Sequence, residues 1–152
     1  MNIELIPAIE NDRAFFRSAH HLAYRAVIES MFGWNEDQQD ISADKEFIER
    51  NPHIVRFEDK AVGAIGWEYK ADYLWFGPIY ILPEFQNKGL GSFLVKKFMK
   101  DAQDKGMPLR LRTLLKNDGA KRLYMNLGFK VLSSTDIHWH MEYKSAPGER
   151  VL

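Results

Sequence analysis

The chain is predicted to fold as an α/β (α+β) protein: a mixed, mostly antiparallel sheet flanked by helices, in the order β-α-α-β-β-β-α-β-α-β-β. Three observations carry that expectation. Strand-like runs at 53–57, 61–69 and 73–82 follow one another through short polar connections, Glu58-Asp59-Lys60 and Lys70-Ala71-Asp72, as in an antiparallel meander. A glycine-rich turn, Gln86-Asn87-Lys88-Gly89-Leu90-Gly91, then leads into an amphipathic helix. Further on, residues 117–127 read as a helix punctuated at both ends. Asn117 or Asp118 caps its start, and Gly128 stands where a left-handed residue closes the last turn.

Before the meander, Ile3-Glu4-Leu5-Ile6 alternates weakly and meets Pro7, which marks a short edge strand. From Asp12 to about Met31, residues Phe15, Phe16, Ala19, Leu22, Ala23, Ala26 and Val27 recur at helical spacing, and Gly33 is the stop. Ser42 to Ile48 reads as a second, shorter helix. Asn51-Pro52 ends it, because proline pushes the preceding residue out of the helical region. After the glycine turn, Leu90, Phe93, Leu94, Phe98 and Ala102 mark one helix face and Lys96, Lys97 and Lys100 the other, with Gly106 as terminator. A strand over 107–114 and a closing pair, 129–132 and 137–143, complete the sheet.

The 152 residues, 45% of them hydrophobic, suit one domain, expected over 1–144, with a mobile tail at 145–152. Lys+Arg and Asp+Glu are both 21, so the chain lacks the basic excess that displaces counterions from nucleic acid. With no cysteine, thiol nucleophiles, disulfides and cysteine metal sites are excluded, and a cytoplasmic setting is expected. Neither a secretory signal nor a membrane span of ~20 apolar residues is visible.

A glycine-rich turn between strand and helix offers backbone N–H groups at the positive end of a helix dipole, a natural cradle for phosphate. The Walker pattern fails here, because Gly91 is followed by Ser92-Phe93 rather than lysine and a hydroxyl residue. The dinucleotide fingerprint fails too. Leu94 replaces its third glycine, and the following strand, Leu109-Arg110-Leu111-Arg112, is basic where an acidic ribose contact belongs. Gln-x-x-Gly-x-Gly, entered through Pro83-Glu84-Phe85, resembles the pyrophosphate loop of the GNAT acyltransferases. Asn117-x-x-Ala120-x-x-x-Tyr124-x-x-x-Gly128-Phe129 resembles that family's second signature. The element order resembles the GNAT fold along nearly the whole chain.

The resemblance implies direct transfer of acetyl from acetyl-CoA to an amine, without an acyl-enzyme. Main-chain groups of Ile79 and Ile81 would hold the pantetheine arm like an added strand, and an N–H there would face the developing oxyanion. Amides of Gln86, Asn87, Lys88, Gly89, Leu90, Gly91 and Ser92 would take the pyrophosphate, with Lys88 as a further phosphate contact. Tyr124 is the expected general acid, since a phenol of pKa near ~10 is protonated at neutral pH and roughly matched to a leaving thiolate. Asn117 would cap its helix and touch the pantetheine arm. The resemblance places acceptor recognition on the first two helices and their connection. There Glu29 could bind an ammonium and Arg25 a carboxylate, with Phe32, Trp34 and Tyr80 lining a small-molecule cleft. The base is left open among Glu68, Glu84 and a water chain.

Each reading has a plainer counterpart: aromatics covering the sheet, solvated charges at Arg25 and Glu29, a capping Asn117. The alternation His138-x-His140-x-Glu142 is explained by the interleaved Trp139, Met141 and Tyr143 as a buried strand face, and no metal is expected. His20 and His21 are expected on different helix faces. A CoA-binding sensor without turnover and a peptide-directed acetyltransferase are the rival functions; a homodimer is compatible with either.

Overall fold

The computed structural model describes residues 1–146. Its strands are β1 (Ile3–Pro7), β2 (His53–Phe57), β3 (Lys60–Tyr69), β4 (Leu74–Ile81), β5 (Leu109–Leu114), β6 (Lys130–Ser134) and β7 (His138–Tyr143). The helices are α1 (Arg13–Ala23), α2 (Arg25–Phe32), α3 (Glu36–Arg50), α4 (Leu90–Asp104) and α5 (Asp118–Asn126). One seven-stranded sheet runs β1-β2-β3-β4-β5-β7-β6. The pairs β1–β2, β2–β3, β5–β7 and β6–β7 are antiparallel, and β4–β5 is parallel, so the sheet is mixed and mostly antiparallel as predicted. Residues 147–152, most of the expected tail, lie outside the described residues. Among the described residues no helix is long and apolar enough to cross a membrane.

The chain divides into two compact units, cut near the end of β3, within β4 and again at the start of α4. The first comprises Met1–Trp67 and Pro78–Leu90. Its β2–β3 hairpin turns on Glu58 (φ 50°) and Asp59 (φ 64°), the paired positive values that a two-residue turn uses to match strand twist. Phe16, Ile54 and Ala64 form its core, with Phe47 and Tyr80 packed against them. Gly63 is required there, because a Cβ would collide with the Tyr80 carbonyl oxygen.

Three expectations are corrected in this unit. The single helix from Asp12 to Met31 is two helices, broken at Tyr24 (φ −129°, ψ 17°). The short helix over 42–48 is α3, 15 residues long, because the Asn35 side chain accepts from the Gln38 N–H and starts it a turn and a half earlier. Asn51 does leave the helical region, into the left-handed one (φ 46°). The buried face of α1 also differs: Phe16, Ala19, His20 and His21 are buried, whereas Leu22 is 48% exposed. Two histidines occupy the inside because α3 supplies Asp40 as a hydrogen-bonding partner to His21, and His21 in turn is the partner of His20.

The second unit comprises Glu68–Gly77 and the chain from Gly91 onward. Along α4 the buried stripe is Leu94, Val95, Phe98, Met99 and Ala102, while the expected Phe93 is 38% exposed. Phe98 anchors the stripe, its ring 4.4 Å from Phe76. β7 pairs with β5 from Leu109↔Tyr143 to Leu114↔His138 and with β6 on its other edge. α5 is punctuated as expected: Asn117 Oδ1 accepts from the Ala120 N–H at 3.2 Å, and Gly128 has φ 103°.

Candidate functional site

In the first unit, the end of β4 is fastened by side chains. The Leu82 N–H donates to the Val62 carbonyl at 2.9 Å. Strand alternation therefore turns Tyr80 and Leu82 toward β3 and the main-chain groups of Ile79 and Ile81 to the opposite edge. Parallel pairing to β5 is confined to Leu74↔Leu109 and Trp75↔Arg110, so Ile79 and Ile81 lie past it along β4. Their carbonyls are already engaged. The Tyr24 hydroxyl donates to Ile79, and Gln86 Nε2 donates to Ile81 at 2.9 Å and to Ala23 at 3.3 Å. The Gln86 side chain is thus a latch between the loop, β4 and the end of α1, and the N–H groups of Ile79 and Ile81 are what an extended ligand arm could use.

The loop itself is shaped for close main-chain approach. Asn87 (φ 59°) and Gly89 (φ 82°) take left-handed conformations, and α4 starts at Leu90. The first-turn amides of Leu90, Gly91 and Ser92 have no carbonyl within the helix to bond, and they sit at its positive end. A Cβ at Gly91 would meet nothing within 4 Å, so this glycine fills no packing need. Lys88 is exposed and makes no ion pair among the described residues.

In the second unit, Tyr124 is only 6% exposed, its ring 5.7 Å from that of Phe129. Its hydroxyl makes no hydrogen bond among the described residues, and burial pushes its pKa up to about 12. Asn117 is an N-terminal cap through its oxygen, which leaves its NH₂ group unused in capping.

The expected acceptor residues separate into two groups. Arg25 and Glu29 pair with each other at 2.7 Å, and the Arg25 guanidinium lies 4.6 Å from the Trp34 ring. Phe32 is 57% exposed. Tyr80 packs among Phe16, His20 and Tyr24 and donates to Glu46 at 2.7 Å from Oε2. Of the two carboxylates considered as bases, Glu68 pairs with Lys70 at 3.0 Å and Glu84 is exposed. On β7, Met141 and Tyr143 are buried as expected, Glu142 pairs with Arg110 at 2.7 Å, and burial lowers the His138 pKa to about 4.

One constellation was not anticipated. His20 and His21 do not diverge: their Nδ1 atoms lie 3.0 Å apart, and His21 Nε2 lies 2.6 Å from Asp40 Oδ1. Glu36 stands 3.7 Å from the same nitrogen, and one ligand atom each of His21, Glu36 and Asp40 fall within 4.8 Å of one another, a spacing that could hold a metal ion. Burial, with His21 beside it, lowers the His20 pKa to about 4. A sequence signal existed. Arg17 and His21 on α1 are spaced i,i+4, and so are Asp40 and Asp44 on α3. Antiparallel packing matches the pairs, with Arg17 at 2.8 Å from Asp44.

The sequence matches the profile of the Acetyltransferase (GNAT) family over residues 14–129, and the chain belongs to that family. Among curated relatives, the thialysine N-epsilon-acetyltransferase of Bos taurus is 37% identical over 73 residues, 47% of this chain and 42% of that protein. Its Sus scrofa counterpart is 37% identical over 68 residues, 44% of this chain and 39% of that protein. The matched segment thus spans less than half the length of either relative. The PaiA N-acetyltransferase of Thermoplasma acidophilum, solved with coenzyme A, superposes with TM-score 0.72 at 17% identity, covering 95% of this chain and all (100%) of that one. A GNAT family acetyltransferase of Brucella melitensis, solved with acetyl-CoA, gives TM-score 0.60 at 16% identity, covering 98% and 92%. At such identity the likeness is one of fold.

Proposed function

We propose that the chain is an N-acetyltransferase moving acetyl from acetyl-CoA directly to the primary amine of a small molecule. The observation that carries this reading is the loop before α4. Left-handed Asn87 and Gly89 turn the chain into α4, and a Cβ at Gly91 would meet nothing within 4 Å, so the first-turn amides stand at the helix's positive end beside open space. In this reading amides from Gln86 to Ser92 bind the pyrophosphate, with Lys88 beside them, and the N–H groups of Ile79 and Ile81 pair with the pantetheine arm. Tyr124 supplies the proton to the leaving thiolate, and the free NH₂ of Asn117 contacts the arm. Arg25 and Glu29 satisfy each other, which leaves Phe32, Trp34 and Tyr80 as the acceptor-facing groups and favours a compact acceptor.

The test is acceptor-dependent release of CoA, followed with a thiol reagent across amines, amino acids, polyamines and peptides. The chain has no cysteine (Cys 0) to interfere. Thialysine belongs in the panel because the bovine and porcine relatives are named for it. Release with a small amine is expected. Tight acetyl-CoA binding with no release would turn the reading into a sensor, and efficient acetylation of long peptides alone would make it a peptide-directed enzyme.

A further inference from the structure

Amine acetylation needs a group to take a proton from the acceptor ammonium, and the first unit contains a candidate relay. We infer that Asp40, His21 and His20 form a proton relay whose receiving atom is His20 Nε2, and that it serves as the base of the acetyl transfer proposed above, on which this role rests.

The hydrogen bonds dictate the proton positions. Asp40 Oδ1 accepts at 2.6 Å, so His21 Nε2 carries a proton. In a neutral His21 the other nitrogen, Nδ1, then has a lone pair. Its neighbour at 3.0 Å, His20 Nδ1, must donate to it, which leaves His20 Nε2 unprotonated. That atom has no hydrogen-bond partner among the described residues, and His20 as a whole is 6% exposed. The His20 ring lies 5.3 Å from the Tyr80 ring, on the β4 residue between Ile79 and Ile81.

A lone buried imidazole would be a poor base, since burial disfavours its cation. The relay removes that difficulty. A proton arriving at His20 Nε2 lets the Nδ1 proton pass to His21, and the charge comes to rest against the Asp40 carboxylate. The other ionisable groups facing the relay are Glu36 and Arg17, the latter 3.9 Å from Asp40, and, around Tyr80, Glu46 and Tyr24. The reaction balances. The ammonium loses one proton to Nε2, its lone pair forms the C–N bond, and the C–S bond breaks with its electron pair on sulphur. The second nitrogen proton offsets the one the thiolate takes, and the relay returns its proton to water.

The test combines ring nitrogen NMR with kinetics on the full chain. At a pH where both rings are neutral, long-range ¹H–¹⁵N spectra should show His20 as the Nδ1–H tautomer and His21 as the Nε2–H tautomer. His20→Gln should lower kcat about 10²-fold, the usual worth of a general base, with acetyl-CoA affinity kept. Asp40→Asn, which retains the shape, should lower kcat and move the acidic limb of kcat/KM to lower pH. The opposite tautomers, tight zinc uptake that strips the His21 Nε2 proton, or unchanged kcat in a folded His20→Gln would each overturn the relay while leaving acetyl transfer standing. A wild-type chain that transfers no acetyl to any amine would overturn both.

Discussion

At Tyr124 the surroundings set the chemistry of one side chain. A phenol 6% exposed, with a pKa pushed up to about 12 by burial, stays protonated throughout the neutral range. So weak an acid gives up its proton only as the C–S electron pair is released, which suits a donor to a leaving thiolate and prevents premature ionisation. Tyr124→Phe should therefore keep acetyl-CoA affinity and lower kcat about 10²-fold; unchanged turnover would move the proton donor elsewhere. The same burial has a stability consequence. The folded pKa lies above the unfolded one, so the contribution is whole below the unfolded pKa of ~10 and is lost as pH rises through the folded value. Between pH 9 and 12 the wild type should lose on the order of 2 kcal/mol relative to Tyr124→Phe in urea unfolding. A constant gap would refute the burial account.

Among the elements, α4 separates what a glycine does for a helix from what it does for a ligand. Gly89 holds φ 82°, so a side chain there strains the loop whatever binds to it. Gly91 lies inside α4 with open space around its would-be Cβ. Gly91→Ala should stabilise the protein, by about 0.5 kcal/mol, because alanine loses less backbone entropy than glycine in a helix. If the amides cradle pyrophosphate, the same methyl should weaken acetyl-CoA binding in a calorimetric titration. A gain in stability with unaltered binding would show the loop to be an ordinary turn. Element by element, strong local signals coincide with the structure. Asn117 and Gly128 punctuate α5 as expected, and the hairpin at Glu58-Asp59 stands where polarity and length put it. The break at Tyr24 and the cap at Asn35 were missed. The first has no local breaker: it accompanies the Tyr24 hydroxyl's bond to the Ile79 carbonyl, 55 residues away. The second lies before a helix that buries only Ala43 and leaves Ile41 and Ile48 exposed, so apolar periodicity does not mark its first turns.

For the whole molecule, two half-hidden bases make a prediction about acid. His20 in the first unit and His138 in the second are both lowered to about 4, burial being the largest cause in each. Their folded values lie below the unfolded ~6.5, so the stability they contribute is whole above that pH and is lost as pH falls toward 4. The thermal midpoint should drop across that window, and His138→Gln should make the drop shallower; an identical acid profile in the variant would refute it. Family, a mixed and mostly antiparallel sheet, and the glycine turn before α4 are legible in the linear sequence. Periodicity, caps and turn residues are encoded by neighbours a few positions apart, and each GNAT signature lies within a short stretch at one helix: the turn that opens α4, and α5 with its cap and exit. What only the tertiary structure decided is which distant groups meet: His21 with Asp40 across 19 positions, Tyr24 with Ile79 across 55, Gln86 with Ala23 across 63. A buried polar group must find its partner wherever packing brings one. The histidines that looked divergent on one helix therefore converge once α3 places a carboxylate beside them.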